Sequence, residues 1–361
     1  MPSRASHTSD PLARGRASQS NRVGRYERHD RDLVDDGWDI DDELPPVRTE
    51  VTFESLRKVI TKNTSPDLSF DRSINPYRGC EHGCIYCFAR PTHAYLGMSP
   101  GLDFETRLIA RPNAPEVLEA ELRAKSYRPE TIAIGTNTDP YQPIERDHQI
   151  MRRILEVLRD YQHPVGVVTK GTLIERDADI LGEMGRKGLA RVGISVTTLD
   201  PKLSRAMEPR APSPARRLQT IRRLVDAGCQ VRIMASPMIP ALTDHEMESI
   251  LAAGAKSGAV AASWIMLRLP REVAPLFREW LEAKFPNCAA RVLGRVRDTQ
   301  GGRDYDPEWG RRMTGQGEFA KLMAHRFGIQ IKRLGLAHRL PPLRTDLFQP
   351  PSRVGDQLSF F

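Results

Sequence analysis

Residues 74–95 read INPYRGCEHGCIYCFARPTHAY. Three of the chain's five cysteines fall here, spaced Cys80-x3-Cys84-x2-Cys87, while Cys229 and Cys288 stand alone. An odd, clustered set of cysteines does not read as a disulfide framework. In a reducing compartment, thiols grouped on one loop are more often metal ligands. Three thiolates can hold three irons of a [4Fe-4S] cube and leave the fourth iron without a protein ligand. Two other readings stay open on the residues themselves: a three-cysteine zinc site completed by His82 or His93, and a chance group of buried free thiols. Structural zinc usually draws on two separated ligand pairs, whereas all three sulfurs here share one loop.

Outward from this loop, short runs rich in branched apolar residues alternate with amphipathic stretches. The strand-like runs are TIAIG (131–135), PVGVVT (164–169), ARVGISV (190–196), QVRIMAS (230–236) and AVAASWIML (259–267). Each is apolar enough to be buried on both faces. Between them, Ile150, Ile154, Leu155, Leu158 and Tyr161 share one helical face, and Leu218, Ile221, Leu224 and Val225 share another. Ser213 and Pro214 start the second helix and Gly228 stops it. Thr243 and Asp244 cap a third, through Met247, Ile250 and Leu251. With one strand just before Cys80, six strand–helix units predict a parallel sheet with right-handed crossovers. Six units are too few for an eight-stranded barrel, and an open three-quarter barrel fits better than a flat sheet. Either way the site is expected at the C-terminal ends of the strands.

Composition frames the rest. An apolar content of 39% supports a core but leaves part of the chain unpacked. No apolar run is long enough to cross a bilayer, and residues 1–20 carry no apolar stretch typical of a secretory signal. A cytoplasmic protein with no membrane partner is expected. Residues 1–46 lack apolar periodicity and are expected to be a disordered N-terminal segment; residues 47–285 form the core. Residues 286–361 form a C-terminal extension, polar and glycine-rich, with one helix near 315–327 and a proline-rich, extended tail from Leu340. Net charge is +8. Residues 1–50 hold 8 Lys/Arg against 11 Asp/Glu, and residues 286–361 hold 13 against 7. A basic C-terminal part permits nucleic-acid contact, as ordinary surface charge also would.

CEHGCIYC, with Tyr86 just before the last cysteine, resembles the signature of the radical S-adenosylmethionine (SAM) superfamily. The wider segments NPYRGCEHGCIYCFAR and IGTNTDPYQPIE are similar to the relatives of spore photoproduct lyase, the DNA-repair photolyase-like branch. The similarity extends over roughly residues 20–350. The resemblance implies a partial (β/α)6 barrel and two cofactors: a [4Fe-4S] cluster on Cys80, Cys84 and Cys87, and SAM chelating the open iron. It implies that Tyr86 packs near the adenine and that Thr136, Asn137 and Asp139 at the second strand tip contact the methionyl part. It also implies that Lys170 pairs with the SAM carboxylate and that Ser195 lies near SAM. Thr197, Ser236 and Met238 occupy neighbouring strand tips, and Arg210 is a candidate anion clamp or a surface arginine. No residue is singled out as acting on the substrate. Spore photoproduct lyases use an extra cysteine as hydrogen donor near the second strand tip. This chain has Gly135-Thr136-Asn137 there, so that route is not expected.

The chain ends Asp356-Gln357-Leu358-Ser359-Phe360-Phe361, similar to the peptide by which bacterial DNA enzymes hold the sliding clamp. The expected function is a radical SAM enzyme acting on DNA or a nucleotide. Its electron donor is expected to be a flavodoxin or ferredoxin. The alternatives are a radical SAM enzyme on a peptide, RNA or small metabolite, and a non-catalytic iron–sulfur or zinc module.

Overall fold

The computed structural model describes residues 15–27 and 48–352. These form ten strands: β1 (Glu50–Phe53), β2 (Thr61–Lys62), β3 (Arg72–Ile74), β4 (Tyr77–Arg78), β5 (Arg107–Ala110), β6 (Ile132–Ile134), β7 (Val165–Thr169), β8 (Ala190–Ser195), β9 (Gln230–Met238) and β10 (Ala261–Met266). One sheet runs β10-β9-β8-β7-β6-β3-β2. Its six strands β3 and β6 to β10 are parallel, and β2 pairs antiparallel on the β3 edge. Edges remain at β10 and β2, so the sheet is an open, partial barrel.

Why the strands sit in this register is visible in their side chains. Ile74, Ile134, Val167, Val192 and Val231 align across five neighbours and all belong to one apolar core. That face is covered by helices including Ile150–Asp160, Ala178–Arg186, Pro214–Asp226 and Met247–Lys256. Ile150, Ile154, Leu155 and Leu158 have no exposed surface, and burying each such side chain contributes about 1.5–3 kcal/mol. The aligned row on the opposite face is Ser73, Ala133, Gly166 and Arg191, small or polar, and outside the core.

The helix from Pro214 starts as expected: the Ser213 hydroxyl accepts from Arg216 N, and Gly228 beyond its end has φ +101°. Thr243 does not cap the next helix. Its hydroxyl accepts from Ile239 N at 2.9 Å, holding the loop after β9 instead.

Three features depart from the linear reading. First, β1, β4 and β5 form a separate three-stranded sheet, order β1-β5-β4. Their four or fewer residues each carry too little pattern to register. Second, Pro286–Thr299 is a helix. Ala289, Val292 and Val296 on it pack with Phe277 and Trp280 of the helix Val273–Lys284. The later helix extends over Gly317–Leu334, and its Ala320, Met323 and Phe327 join the main core. Third, residues 15–27, within the stretch expected to be unpacked, lie against the core with Arg16, Ala17 and Ser18 buried. Polar backbone contacts, which apolar periodicity does not register, hold that segment. The rest of the lead-in, 1–14 and 28–47, and the clamp-like end, 356–361, lie outside the described residues.

Between the C-terminal helices, a glycine-rich segment bridges the two sheet edges. Met266 N of β10 donates to Met313 O at 2.8 Å, and Arg312 Nε meets Asp67, in the β2–β3 loop, at 2.5 Å. The proline-rich tail carries no regular element up to residue 352 and turns at residues 345–348, and Phe348 inserts among Tyr127, Tyr161 and His163. Among the described residues no helix is long and apolar enough to cross a membrane.

Candidate active site

The cysteine loop follows β3 and β4 and enters the molecule at the C-terminal ends of the strands. Its turn depends on Gly83, at φ +65°, where a Cβ would come within 2.6 Å of Glu105 Oε2. A carboxylate already occupies the space where any side chain at 83 would go. That carboxylate meets Arg90, and both side chains are fully buried. The Arg90 guanidinium uses all five of its N–H groups. Nε donates to Cys84 O at 3.0 Å, and Nη1 to Pro100 O and Gly101 O, both at 3.0 Å. Nη2 donates to Gly83 O at 3.1 Å and to Glu105 Oε1 at 2.5 Å. Glu105 also accepts from Ala17 N and Ser18 N, which pins the N-terminal segment onto the back of the loop. Gln142 closes the other side, accepting from Glu81 N at 2.8 Å and donating to Gly79 O at 3.2 Å.

Cys80, Cys84 and Cys87 are all free thiols. Burial pushes each thiol's pKa up. Opposing this, nearby backbone N–H groups lower it: that of Asp139 for Cys80, and those of Ala89 and Arg90 for Cys87. The Lys170 charge acts in the same direction on Cys84 and Cys87. Buried sulfurs that are neutral alone but surrounded by donors suit a bound cationic group that takes up thiolate charge. The donor set therefore fits an iron–sulfur cluster. The two histidines read from sequence as possible zinc ligands each hold one ring nitrogen toward an oxygen. His93 Nε2 lies 2.9 Å from Arg107 O and His82 Nδ1 lies 3.3 Å from Asp139 Oδ2, the latter off the hydrogen-bond direction. Among the described residues, no three His, Cys, Asp or Glu side chains converge on a single-ion site.

The strand tips surround this loop. At the end of β6, Gly135 takes φ +92°, and a Cβ there would lie 1.9 Å from Val168 O. The chain then turns through Thr136-Asn137 to Asp139. Asp139 is engaged on both oxygens: Oδ1 accepts from Thr169 Oγ1 at 2.5 Å and Tyr141 N at 2.9 Å, and Oδ2 accepts from Lys170 N at 2.8 Å. Burial would raise its pKa, but adjacent His82 and these donors hold it at about 2. Asp139 thus ties the tips of β6 and β7 to the cysteine loop.

Lys170 Nζ sits 5.6 Å from the centre of the Tyr86 ring. The Tyr86 hydroxyl contacts Thr197 Oγ1 at 3.0 Å and donates to the buried Glu208 carboxylate. Glu208 in turn pairs with the buried Arg217 and accepts from Thr197 Oγ1 at 3.0 Å. Arg217 also donates to Ser195 O and Pro212 O. Ser195 Oγ donates to Ser236 O at 2.7 Å, so its hydroxyl proton is used inside the barrel. Ser236 Oγ is buried without a partner among the described residues, at the tip of β9. Met238 is a core residue. Arg210 pairs with Glu81 of the cysteine loop at 2.6 Å.

The structure thus gathers Tyr86, Asp139 and Lys170 around the three cysteines, with Ser195 linked to Tyr86 through Ser236 O and Thr197. Thr136 and Asn137 line a cavity of about 330 Å³ with Asn75, Arg78 and Arg111. Reading from sequence missed Arg90, Glu105, Gln142, Glu208 and Arg217. Arg90 and Gln142 lie inside the very segments quoted above, where their place beside the motif was the available signal. Glu208 lies two residues before Arg210, and the buried partner in that loop is the glutamate. Cys229 opens β9 at the far end of the barrel, with burial raising its pKa to about 12, and Cys288 lies on the helix Pro286–Thr299. Neither thiol lies on the second strand tip.

Comparison with known proteins agrees with this arrangement. The chain is 37% identical over 246 residues to an uncharacterized protein of Mycobacterium tuberculosis, covering 67% of this chain and 72% of the relative. It is 27% identical over 200 residues to an uncharacterized protein of Methanocaldococcus jannaschii, covering 55% and 71%. Among solved structures, spore photoproduct lyase complexed with dinucleoside spore photoproduct superposes with a TM-score of 0.57. That match is 17% identical and covers 80% of this chain and 81% of the lyase chain, a likeness of fold. The family model described as the radical SAM superfamily matches residues 74–253. That interval opens at the end of β3, takes in the three-thiol loop, and runs through the parallel strands to the helix beyond β9, so the chain belongs to the radical SAM superfamily of enzymes.

Proposed function

We propose that this enzyme holds a [4Fe-4S] cluster on Cys80, Cys84 and Cys87 and acts with SAM on DNA or a nucleotide. The observation that carries the cofactor reading is the loop itself: three free thiols spaced Cys80-x3-Cys84-x2-Cys87 on one loop at the strand tips. When bound, the cluster and SAM supply a 5′-deoxyadenosyl radical by reductive cleavage of the sulfonium. The protein's part is to hold and orient. Tyr86 and Lys170 face each other beside the loop, where an aromatic ring suits adenine and an ammonium suits the SAM carboxylate. Ser236 Oγ offers an unused hydrogen-bonding group at the next tip. Ser195 acts through Ser236 O, and Asp139 through the loop it ties down; both are positioning residues in this reading. Thr136 and Asn137 form the border between the methionyl side and the adjoining cavity.

Support for a nucleic-acid substrate comes from the basic C-terminal part and from the lyase of like fold, whose complex contains a dinucleoside lesion. Thymine-lesion reversal through a protein thiol is not part of the proposal, because Gly135-Thr136-Asn137 at the second strand tip carry no thiol. A flavodoxin or ferredoxin donor, a cytoplasmic location and a sliding-clamp contact through residues 356–361 complete the reading. A peptide, RNA or small metabolite is the alternative substrate class.

The test is anaerobic reconstitution with iron and sulfide, followed by dithionite and SAM. Formation of 5′-deoxyadenosine, lost in Cys80→Ala, Cys84→Ala and Cys87→Ala, is the expected result. Stoichiometric zinc with no four-iron absorbance would defeat it. DNA binding that weakens steeply with salt favours the nucleic-acid substrate over the alternatives.

A further inference from the structure

The three-stranded sheet gives Tyr77, Leu108 and Ala110 to the main core, and it also brings three charged side chains to one point. Glu54 follows β1, Arg111 follows β5 and Arg78 ends β4, and the registers Phe53–Ala110 and Arg78–Ile109 place them together. Arg111 Nε meets Glu54 Oε2 at 2.8 Å, and Arg78 Nη2 meets Glu54 Oε1 at 3.2 Å. One carboxylate thus serves two guanidiniums, which leaves one positive charge over. Arg111 Nη1 also donates to Asn75 O at 2.9 Å. Arg78 Nε is buried and has no hydrogen-bond partner among the described residues.

Both arginines line the cavity of about 330 Å³ that Thr136 and Asn137 border. Its other lining residues are Thr61, Ser73, Asn75, Tyr77 and Thr92, with no carboxylate among them. The Asn75 side chain is fixed by Asn137 N, which donates to its Oδ1 at 3.2 Å. The surplus charge therefore faces hydroxyl and amide groups. Burial lowers the Arg111 pKa and Arg78 lowers it further, as expected of two cations held close without a second anion.

We propose that this cavity is a phosphate-binding site, in which Arg78 and Arg111 receive a phosphate group of the substrate beside the second strand tip. That the phosphate belongs to a nucleotide rests on the function proposed above. A tetrahedral anion suits the site because it accepts from several directions at once. Guanidinium forks meet phosphate bidentately, and the threonine and serine hydroxyls can take the remaining oxygens. The position next to Thr136-Asn137 sets the bound substrate against the side where SAM would lie.

The test uses the full chain with its cluster reconstituted anaerobically, and inorganic phosphate as the first probe, titrated by calorimetry. Arg78→Gln and Arg111→Gln should each weaken phosphate binding about tenfold. Glu54→Gln should tighten it several-fold, because both guanidiniums are then free for the ligand. That gain cannot arise from misfolding. Arg191→Gln, at the opposite end of the sheet, should change it less than twofold. SAM at saturation should leave phosphate binding in place. Equal affinity in wild type and both arginine variants, or no gain in Glu54→Gln, overturns the proposal. Competition by SAM also overturns it and gives the cavity to the SAM carboxylate. Dithymidine monophosphate is then compared with its uncharged methylphosphonate isostere. Preference for the charged form, lost in Arg78→Gln, supports both the site and the nucleotide reading. Phosphate binding with no such preference supports the site and defeats the nucleotide reading.

Discussion

Replacing Arg90 tests how the cysteine loop is held. In Arg90→Met an apolar side chain of similar reach replaces the guanidinium, and five donors disappear from a fully buried site. Four backbone carbonyls, at Gly83, Cys84, Pro100 and Gly101, each lose a partner. Glu105 is left as a buried carboxylate with only the backbone N–H groups of Ala17 and Ser18. Stranding one partner of a buried ion pair costs about 3–5 kcal/mol, and each orphaned carbonyl adds about 1 kcal/mol or less where water can enter. Arg90→Lys keeps the charge but has three donors for five acceptors, so two contacts fail and the expected loss is about 2–3 kcal/mol. The measurements are urea unfolding of the apo protein and iron content after anaerobic reconstitution. Arg90→Met should lose stability on the order of 4 kcal/mol and hold iron poorly. Arg90→Met with Glu105→Gln should regain part of the stability but not the iron, since the loop carbonyls stay unpaired. If Arg90→Met unfolds within about 1 kcal/mol of the parent and binds full iron, the reasoning is wrong.

Three further outcomes follow from buried groups elsewhere. The His163 ring is fully buried, with Nδ1 bonded to Pro164 O and Nε2 to the Tyr127 hydroxyl, an arrangement that fits the neutral ring. Burial lowers its pKa from 6.5 to about 4. The unfolded chain therefore takes up this proton first as pH falls, so stability is full above pH 6.5 and drains away between 6.5 and 4, by roughly 3 kcal/mol in all. His163→Gln should flatten the slope of unfolding free energy against pH in that window, and an unchanged slope refutes the assignment. Glu208→Ala strands the buried Arg217 and frees the Tyr86 hydroxyl, so a loss of about 3–5 kcal/mol is expected by urea unfolding; Glu208→Ala with Arg217→Met should recover much of it. Phe348→Ala removes the ring held among Tyr127, Tyr161 and His163, and should cost about 2 kcal/mol. Protease cleavage should then begin near residue 344 in the native protein, and an unchanged digestion pattern argues against docking of the tail.

The linear chain was most informative where a short pattern carries a complete physical meaning. Cys80-x3-Cys84-x2-Cys87 groups three candidate metal ligands on one loop by spacing alone. TIAIG, PVGVVT and ARVGISV are strands, as branched apolar runs of that length predict, but only the face of the row from Ile74 to Val231 belongs to the apolar core. Ser213, Pro214 and Gly228 mark helix ends for local reasons, and they do so in the structure. Thr243 met the same local criterion, but a backbone N–H four residues earlier in the chain claimed its hydroxyl.

What folding alone decided is the pairing of residues far apart in sequence. Arg90 reaches Glu105 and, through it, Ala17 and Ser18; Tyr86 reaches Glu208, 122 positions away. Arg78 and Arg111 meet at Glu54 only because three very short strands align. Periodicity reports which face of an element is apolar, since that follows from the chain's own geometry. It says nothing about which buried charge will meet which. That choice is set by desolvation, which forces each buried ionic group to find a partner, and the partner is whatever the packed strands and loops bring within reach.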